Sequence, residues 1–359
     1  MTTALEQFII EMPKAELHLH LEGAIQPATV LLLAERNRVT LPFTTEAELE
    51  RFFQIRDFPH FIEVFAVVSK CLLTPDDFTL VVNELGADAA RQHIRYLEIH
   101  FNPEPHVRRR GLRFDELLAG MNRGRAEVRD RWDVELRWIA DGVRDAESGP
   151  ASVATTVDWI TALHPSAGVV ALGLGGGEAG YPPNLFIDSF ARARAAGLHV
   201  VAHAGEATGP ETIRDSLDLL KAERIGHGIR AIDEPILVAR LARERIPLEI
   251  CPTSNLRTGV VKSLADHPLR RLDEAGVIVT VNSDDPPFFG TTLTDEYRLL
   301  ATSFGYGIDD IERIALNAVH VSFLPDVEKR AMVDDFRAAY AGLRARHGLA
   351  ATAWARADS

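Results

Sequence analysis

Short apolar runs alternate along this chain with longer stretches whose apolar positions recur every three or four residues. The short runs lie at 16–20, 96–101, 134–139, 169–174, 198–203, 224–227, 248–251 and 278–282. Most are continuously apolar rather than alternating. That is the pattern of strands covered on both faces, as in a parallel sheet with helical crossovers. The intervening stretches carry helix signals. Pro75-Asp76-Asp77 puts a proline and acidic residues into a first turn. Further helices are expected over 114–131 and over 184–196, the latter stopped by Gly197. Three more, over 293–303, 309–319 and 327–346, follow the last strand run. The segment 27–71 also reads as helical. It is longer than a plain strand-to-helix connection needs, so it is expected as an insertion after the first strand.

Strands alternating with helices in this way predict an α/β fold, a parallel sheet closed into a (β/α)8 TIM barrel. The barrel would carry the helical insertion after strand 1 and extra C-terminal helices. No composition shift, internal repeat or low-complexity segment marks a second unit, so residues 1–359 read as one domain. An open doubly wound sheet would place a glycine-rich phosphate turn after its first strand. The run Gly173-Leu174-Gly175-Gly176-Gly177 follows a middle strand instead and reads as a close backbone approach to a ligand.

The barrel makes a test of the polar residues, because chemistry in this fold sits at the C-terminal ends of the strands. His18 and His20 end the first strand run, and at i and i+2 they share one face. His203 ends the fifth run with Glu206 just beyond, His227 ends the sixth, and Asp284 and Asp285 end the eighth. All fall on one mouth. His18, His20, His203 and Asp284 supply imidazoles and a carboxylate suited to one zinc ion per chain, with a further position for water. Zinc lowers the pKa of bound water from about 15.7 to around 7. Glu206 is placed to protonate a ring nitrogen of a substrate while hydroxide attacks the neighbouring carbon. His227, between two glycines that remove steric cover, is placed to orient the attacking group and stabilise developing charge. Adjacent strand residues point oppositely, so the Asp284-Asp285 pair needs a bend, and Pro286-Pro287 follows directly. One carboxylate then reaches metal while the other faces a ligand. The remaining histidines, among them His60, His93, His100, His106 and His267, lack such context and read as structural or surface groups.

Composition narrows the partners. A net charge of −13 argues against nucleic acid. Arg108-Arg109-Arg110 is the one basic cluster, a solvated loop or a contact for an acidic substituent near the mouth. No apolar stretch approaches the roughly 18 residues of a membrane span. With only two cysteines, far apart, neither a disulfide framework nor a thiolate metal site is available. The expectation is a cytoplasmic protein with a small-molecule partner, and self-association into a homo-oligomer is left open. No Gly-x-Ser-x-Gly elbow supports a serine nucleophile, and Cys251 reads as a small buried residue.

The assembled motifs are Met12-Pro-Lys-Ala-Glu-Leu-His-Leu-His-Leu-Glu-Gly23, His203-Ala-Gly-Glu206, Arg224-Ile-Gly-His-Gly228, Cys251-Pro-Thr-Ser-Asn255 and Asn282-Ser-Asp-Asp-Pro286. In order and spacing they resemble the adenosine deaminase family of metal-dependent amidohydrolases. The resemblance implies a zinc enzyme that converts a 6-aminopurine to the 6-oxopurine and ammonia. It implies zinc on His18, His20, His203 and Asp284, a proton from Glu206 to purine N1, and a hydroxide positioned by His227 at C6. It further implies contacts from Asp285 to N7, from the Gly176 backbone amide to N3, and from Glu22 towards the sugar. Adenosine deaminases commonly have Asp where this chain has Glu22. The loop Gly175–Gly180 lacks the Asp-Ser-Ser-Glu run associated with adenine deaminases. The implied substrate is thus a nucleoside, adenosine or a 5′-modified relative such as aminodeoxyfutalosine, with free adenine as the alternative. A non-catalytic relative would have lost a ligand or the acid. A two-metal barrel hydrolase would need a bridging lysine after the fourth strand, where this chain has glycines.

Overall fold

The computed structural model describes residues 3–144 and 149–351, apart from the side chains of Phe58, Arg109, Arg110 and Pro165. Its centre is β1 (Lys14–His20), β2 (Ile94–Phe101), β3 (Glu135–Val143), β4 (Val169–Gly175), β5 (His199–Ala204), β6 (Arg224–His227), β7 (Leu248–Ile250) and β8 (Val279–Val281). Each strand pairs in parallel with the next in chain order. The ring closes where Asp284 N–H donates to the His18 carbonyl at 3.1 Å and His20 N–H donates to the Asp284 carbonyl at 2.9 Å. Asn282 extends this seam with its side chain, Oδ1 accepting from Leu17 N–H at 3.0 Å. The expected TIM barrel is therefore the observed one.

The element boundaries differ where polarity misleads. β3 runs on to Val143 because Asp141, buried there, is held by a histidine on β2 rather than by water. β7 stops at Ile250, since Pro252 cannot donate to a ladder and opens a short helix instead. The stretch expected as one helix over 184–196 divides into a 3-10 turn, Pro183–Phe186, and a helix, Ile187–Ala195.

The insertion after β1 comprises a 3-10 turn, Glu22–Ala24, and the helices Pro27–Arg36, Glu46–Phe53 and Phe58–Ser69. The crossover helix Pro75–Arg91 follows. Thr74 accepts from Asp77 N–H in a capping box, and Pro75 sits at the first turn, where its missing N–H costs nothing. At the opposite mouth, the helix Ala4–Glu11 packs on Asp326–His347, with the Phe8 and Tyr340 rings 5.9 Å apart. Among the described residues no helix is long and apolar enough to cross a membrane.

Apolar side chains fill the layer between strands and helices. Inside the barrel the middle layer is charged. Arg224 donates to Glu98 and Glu249, each at 2.5 Å, while its guanidinium lies 3.8 Å from the Phe323 ring centre. All three charges are buried, so each must be paired. Glu249 spends its second oxygen on the layer above, where the candidate site begins.

Candidate active site

β1 delivers His18 and His20 side by side, and their neighbours decide which nitrogen of each faces inward. His18 Nδ1–H donates to Glu249 Oε2 at 2.9 Å. Its Nε2, buried without a hydrogen-bond partner, then lies 3.5 Å from Asp284 Oδ1. His203 Nδ1–H donates to the Leu174 carbonyl at 3.0 Å, which leaves a lone pair on Nε2. That nitrogen is 3.2 Å from His20 Nε2, itself 3.3 Å from Asp284 Oδ1. Three ring nitrogens and a carboxylate converge, with His18 and His203 each oriented by a hydrogen-bond partner on the far side and Asp141 Oδ2 3.7 Å from Nδ1 of His20. This is the donor set and the outer support of a zinc-type divalent site.

The electrostatics agree. Burial opposes charge on His18, but Asp284 and Glu249 overcome it and raise the ring to about 10. Burial likewise opposes charge on His20, and Asp284, Asp285 and Asp141 raise it to about 9. Burial and the neighbouring imidazoles hold His203 well below its ordinary value. The carboxylates thus favour positive charge at His18 and His20, while His203 is held neutral.

The expected bend lies at Asp284 itself, whose φ is +64°, ahead of the prolines. His227 is also left-handed at φ +58°. Such positions cost about 1–3 kcal/mol each and persist only where the surroundings over-determine them. The turn aims Asp284 at the two β1 histidines and sends Asp285 to the other side, against Gly23. A Cβ on Gly23 would lie 1.6 Å from Asp285 Oδ1, so only glycine fits there. Both Asp285 oxygens are buried without partners. Burial, and then the charge of Asp284, push this carboxyl well above the usual range. The glycines around His227 do not expose it, contrary to expectation: the ring is buried. Gly226 instead makes room for His18, since a Cβ there would come within 2.8 Å of His18 Cε1.

Glu206 stands with Oε2 3.6 Å from His227 Nε2. Burial, then Asp284 and Glu178, push its carboxyl up to about 8. Its loop is held by Glu178, which accepts the N–H groups of Gly205, Glu206, Ala207 and Thr208 at 2.7–3.1 Å. This ties the glycine-rich end of β4 to the acid-bearing end of β5. His227 is pushed down to about 3, chiefly by burial. Cys251 is buried, and burial keeps its thiol protonated.

A cavity of about 310 Å³ opens over this cluster. His20, His203, Glu206, His227, Asp284, Asp285 and Gly176 all face it, and His18 lies beneath. Its outer wall is the insertion helix Phe58–Ser69, with Phe61 and Phe65, and Lys70 follows at the rim. Glu22 does not line the cavity. It is fully buried, accepting from Asn102 N–H and His106 Nε2–H at 3.0 Å each, and those two residues face the cavity in its stead. Arg108 sits on the helix Pro103–Arg110 beside Glu104 at 3.3 Å, while the Arg109 and Arg110 side chains lie outside the described residues. Sequence reasoning set aside His100, His106 and His267 as structural or surface groups, and missed Asp141 and Glu249. His100 is buried beside His18 and His20, its Nδ1 2.9 Å from Asp141 Oδ1. His100 and Asp141 stand near the C-terminal ends of β2 and β3, so the strand-end rule could have found both.

Comparison with known proteins agrees with this geometry. A family model described as adenosine deaminase matches residues 13–339. The chain is 41% identical over 341 residues to an aminodeoxyfutalosine deaminase of Streptomyces avermitilis, covering 94% of each. It is 37% identical over 336 residues to an adenine deaminase of Cupriavidus necator, covering 93% of this chain and 94% of that one. An adenine deaminase structure from Arthrobacter aurescens superimposes with a TM-score of 0.86 at 34% identity, over 90% of this chain and 98% of that one. An amidohydrolase from Burkholderia ambifaria with bound Zn superimposes with a TM-score of 0.89 at 27% identity, over 97% and 96%.

Proposed function

The chain belongs to the adenosine deaminase family, a hydrolytic deaminase of adenine-type substrates, and from that premise we propose that it is a zinc enzyme acting on a 6-aminopurine nucleoside, adenosine or a 5′-modified adenosine such as aminodeoxyfutalosine. His18, His20, His203 and Asp284 hold the ion. Zinc bound there supplies hydroxide at neutral pH by lowering the pKa of water to around 7. The protein's own groups do the rest. Glu206, protonated by virtue of its burial, gives its proton to purine N1 as oxygen adds at C6. His227 hydrogen-bonds to the incoming oxygen and fixes its line of approach. The Asp285 carboxyl contacts N7, and the Gly176 amide meets N3. The proton of the new C6 hydroxyl passes to the amino group as the C6–N bond breaks, so that ammonia leaves and the 6-oxopurine remains.

The observation that carries the nucleoside reading is the reach of the cavity. It extends from the imidazole cluster to Phe61, Phe65 and Lys70 on and after the insertion helix, which is where a sugar and its 5′ substituent would lie with the purine over the cluster. Glu22 acts on the sugar through His106 and Asn102, which it holds in place. Free adenine is the second reading, favoured by the 37% identity to an adenine deaminase. The test is ammonia release by zinc-loaded protein given adenosine, adenine and aminodeoxyfutalosine, compared by kcat/KM. A preference for either nucleoside supports the proposal. A preference for adenine replaces it with the second reading, and inactivity on all three overturns both.

A further inference from the structure

His227 does not stand alone. Asn255 and His267 lie behind it, both buried, and neither faces the cavity. The three side chains form a hydrogen-bonded line whose direction can be read from one end. The backbone N–H of Leu269 donates to His267 Nδ1 at 3.1 Å. A ring nitrogen that accepts carries no proton, so the proton of His267 is on Nε2. That nitrogen lies 3.2 Å from Asn255 Oδ1, which accepts it. The amide so turned presents Nδ2–H to His227 Nδ1 at 3.1 Å. His227 Nδ1 is then an acceptor, and its hydrogen is on Nε2. Nε2 is the atom 3.6 Å from Glu206 and 3.8 Å from Asp284.

We infer that Asn255 and His267 are positioning residues that transmit the polarity of the Leu269 amide to His227. They hold it as a neutral ring with its hydrogen at Nε2, so that it serves deamination as a hydrogen-bond donor and not as a proton acceptor. Reversing the line would set N–H against N–H at Leu269, in a buried place where that N–H has no other partner among the described residues. Burial also pushes His267 down to about 4, which keeps it neutral at working pH. What the donor does for catalysis rests on the deaminase reading. Where the hydrogen sits does not.

The test pairs ring-nitrogen NMR of the histidine-labelled, zinc-loaded full chain with kinetics. In the wild type the His227 signal should show Nδ1 bare and Nε2 protonated. Asn255→Asp has nearly the same shape, but its carboxylate accepts from both histidines and draws the hydrogen of His227 to Nδ1. The expected result is that move together with a loss of about 100-fold in kcat and a KM within about threefold. His267→Ala removes the donor, and His267→Gln returns an amide N–H to the same place. The kcat lost in the first should be largely recovered in the second. A role in packing alone gives the opposite order, with the isosteric Asn255→Asp harmless and His267→Gln impaired. That order, or a wild-type hydrogen on Nδ1, overturns the inference. A wild type inactive on every purine but with its hydrogen on Nε2 overturns the functional reading and leaves the placement standing.

Discussion

At the residue scale the site works by giving like side chains unlike surroundings. Asp284 faces two imidazoles and is held well below the usual carboxylate range, whereas Asp285, one residue on, lies against Gly23 without a hydrogen-bond partner and is pushed well above it. Glu206 is the third case, a carboxyl raised by burial to about 8 and therefore an acid at neutral pH. Glu206→Gln keeps the shape and removes the transferable proton. It should lower kcat by about 10²–10⁴ while elemental analysis still finds one zinc per chain. The pH profile follows from the direction of the shift. In the proposed role the working form is protonated, so activity should be present below the pKa and lost as pH rises through it. A bound cation beside Asp284 lowers that pKa. The alkaline limb of kcat is thus expected at or below pH 8 and should vanish in Glu206→Gln.

At the element scale the closing seam between β1 and β8 carries the site. β8 is short, and beyond it the ladder is finished by the turn at Asp284 and by the Asn282 side chain. Asn282 also donates to Thr280 Oγ1 at 3.0 Å, which fixes its amide so that Oδ1 meets the Leu17 N–H. Asn282→Ala leaves that buried N–H unpaired, so unfolding free energy should fall by about 1–3 kcal/mol in urea titration. The lost bond is one residue from His18, so zinc affinity, measured against a competing chelator, should fall as well. A variant with wild-type stability would show that the strand pairing does not need this side chain. The helices were legible from apolar spacing and from caps such as Thr74 with Asp77. The exact strand ends were not, because they depend on how the turns after them satisfy the ladder.

At the scale of the whole molecule, the charged layer at the barrel centre and the imidazole layer above it form one connected stack, Glu98–Arg224–Glu249–His18. An ion bound at its top stabilises the folded chain alone, by about 4.1 kcal/mol at 1,000 times its Kd. Chelation should therefore lower the thermal midpoint, and adding zinc back should restore it, with one ion per chain by titration. An unchanged midpoint would remove the proposed ion from the account of stability. Much of this protein was written in local pattern. The continuously apolar runs determined a parallel sheet covered on both faces, and the strand-end rule then gathered His18, His20, His203, Glu206, His227, Asp284 and Asp285 onto one mouth. Those inferences hold because strand periodicity and barrel polarity are properties of short segments. The tertiary structure alone decided which nitrogen of each histidine faces inward and which of the two adjacent carboxyls is pushed up and which down. It also brought Asp141 to the cavity wall, and Glu249, Asn255 and His267 behind the residues that face the cavity. Hydrogen-bond direction and burial depend on partners far away in the chain, as between His18 and Glu249, and no spacing in the sequence records them.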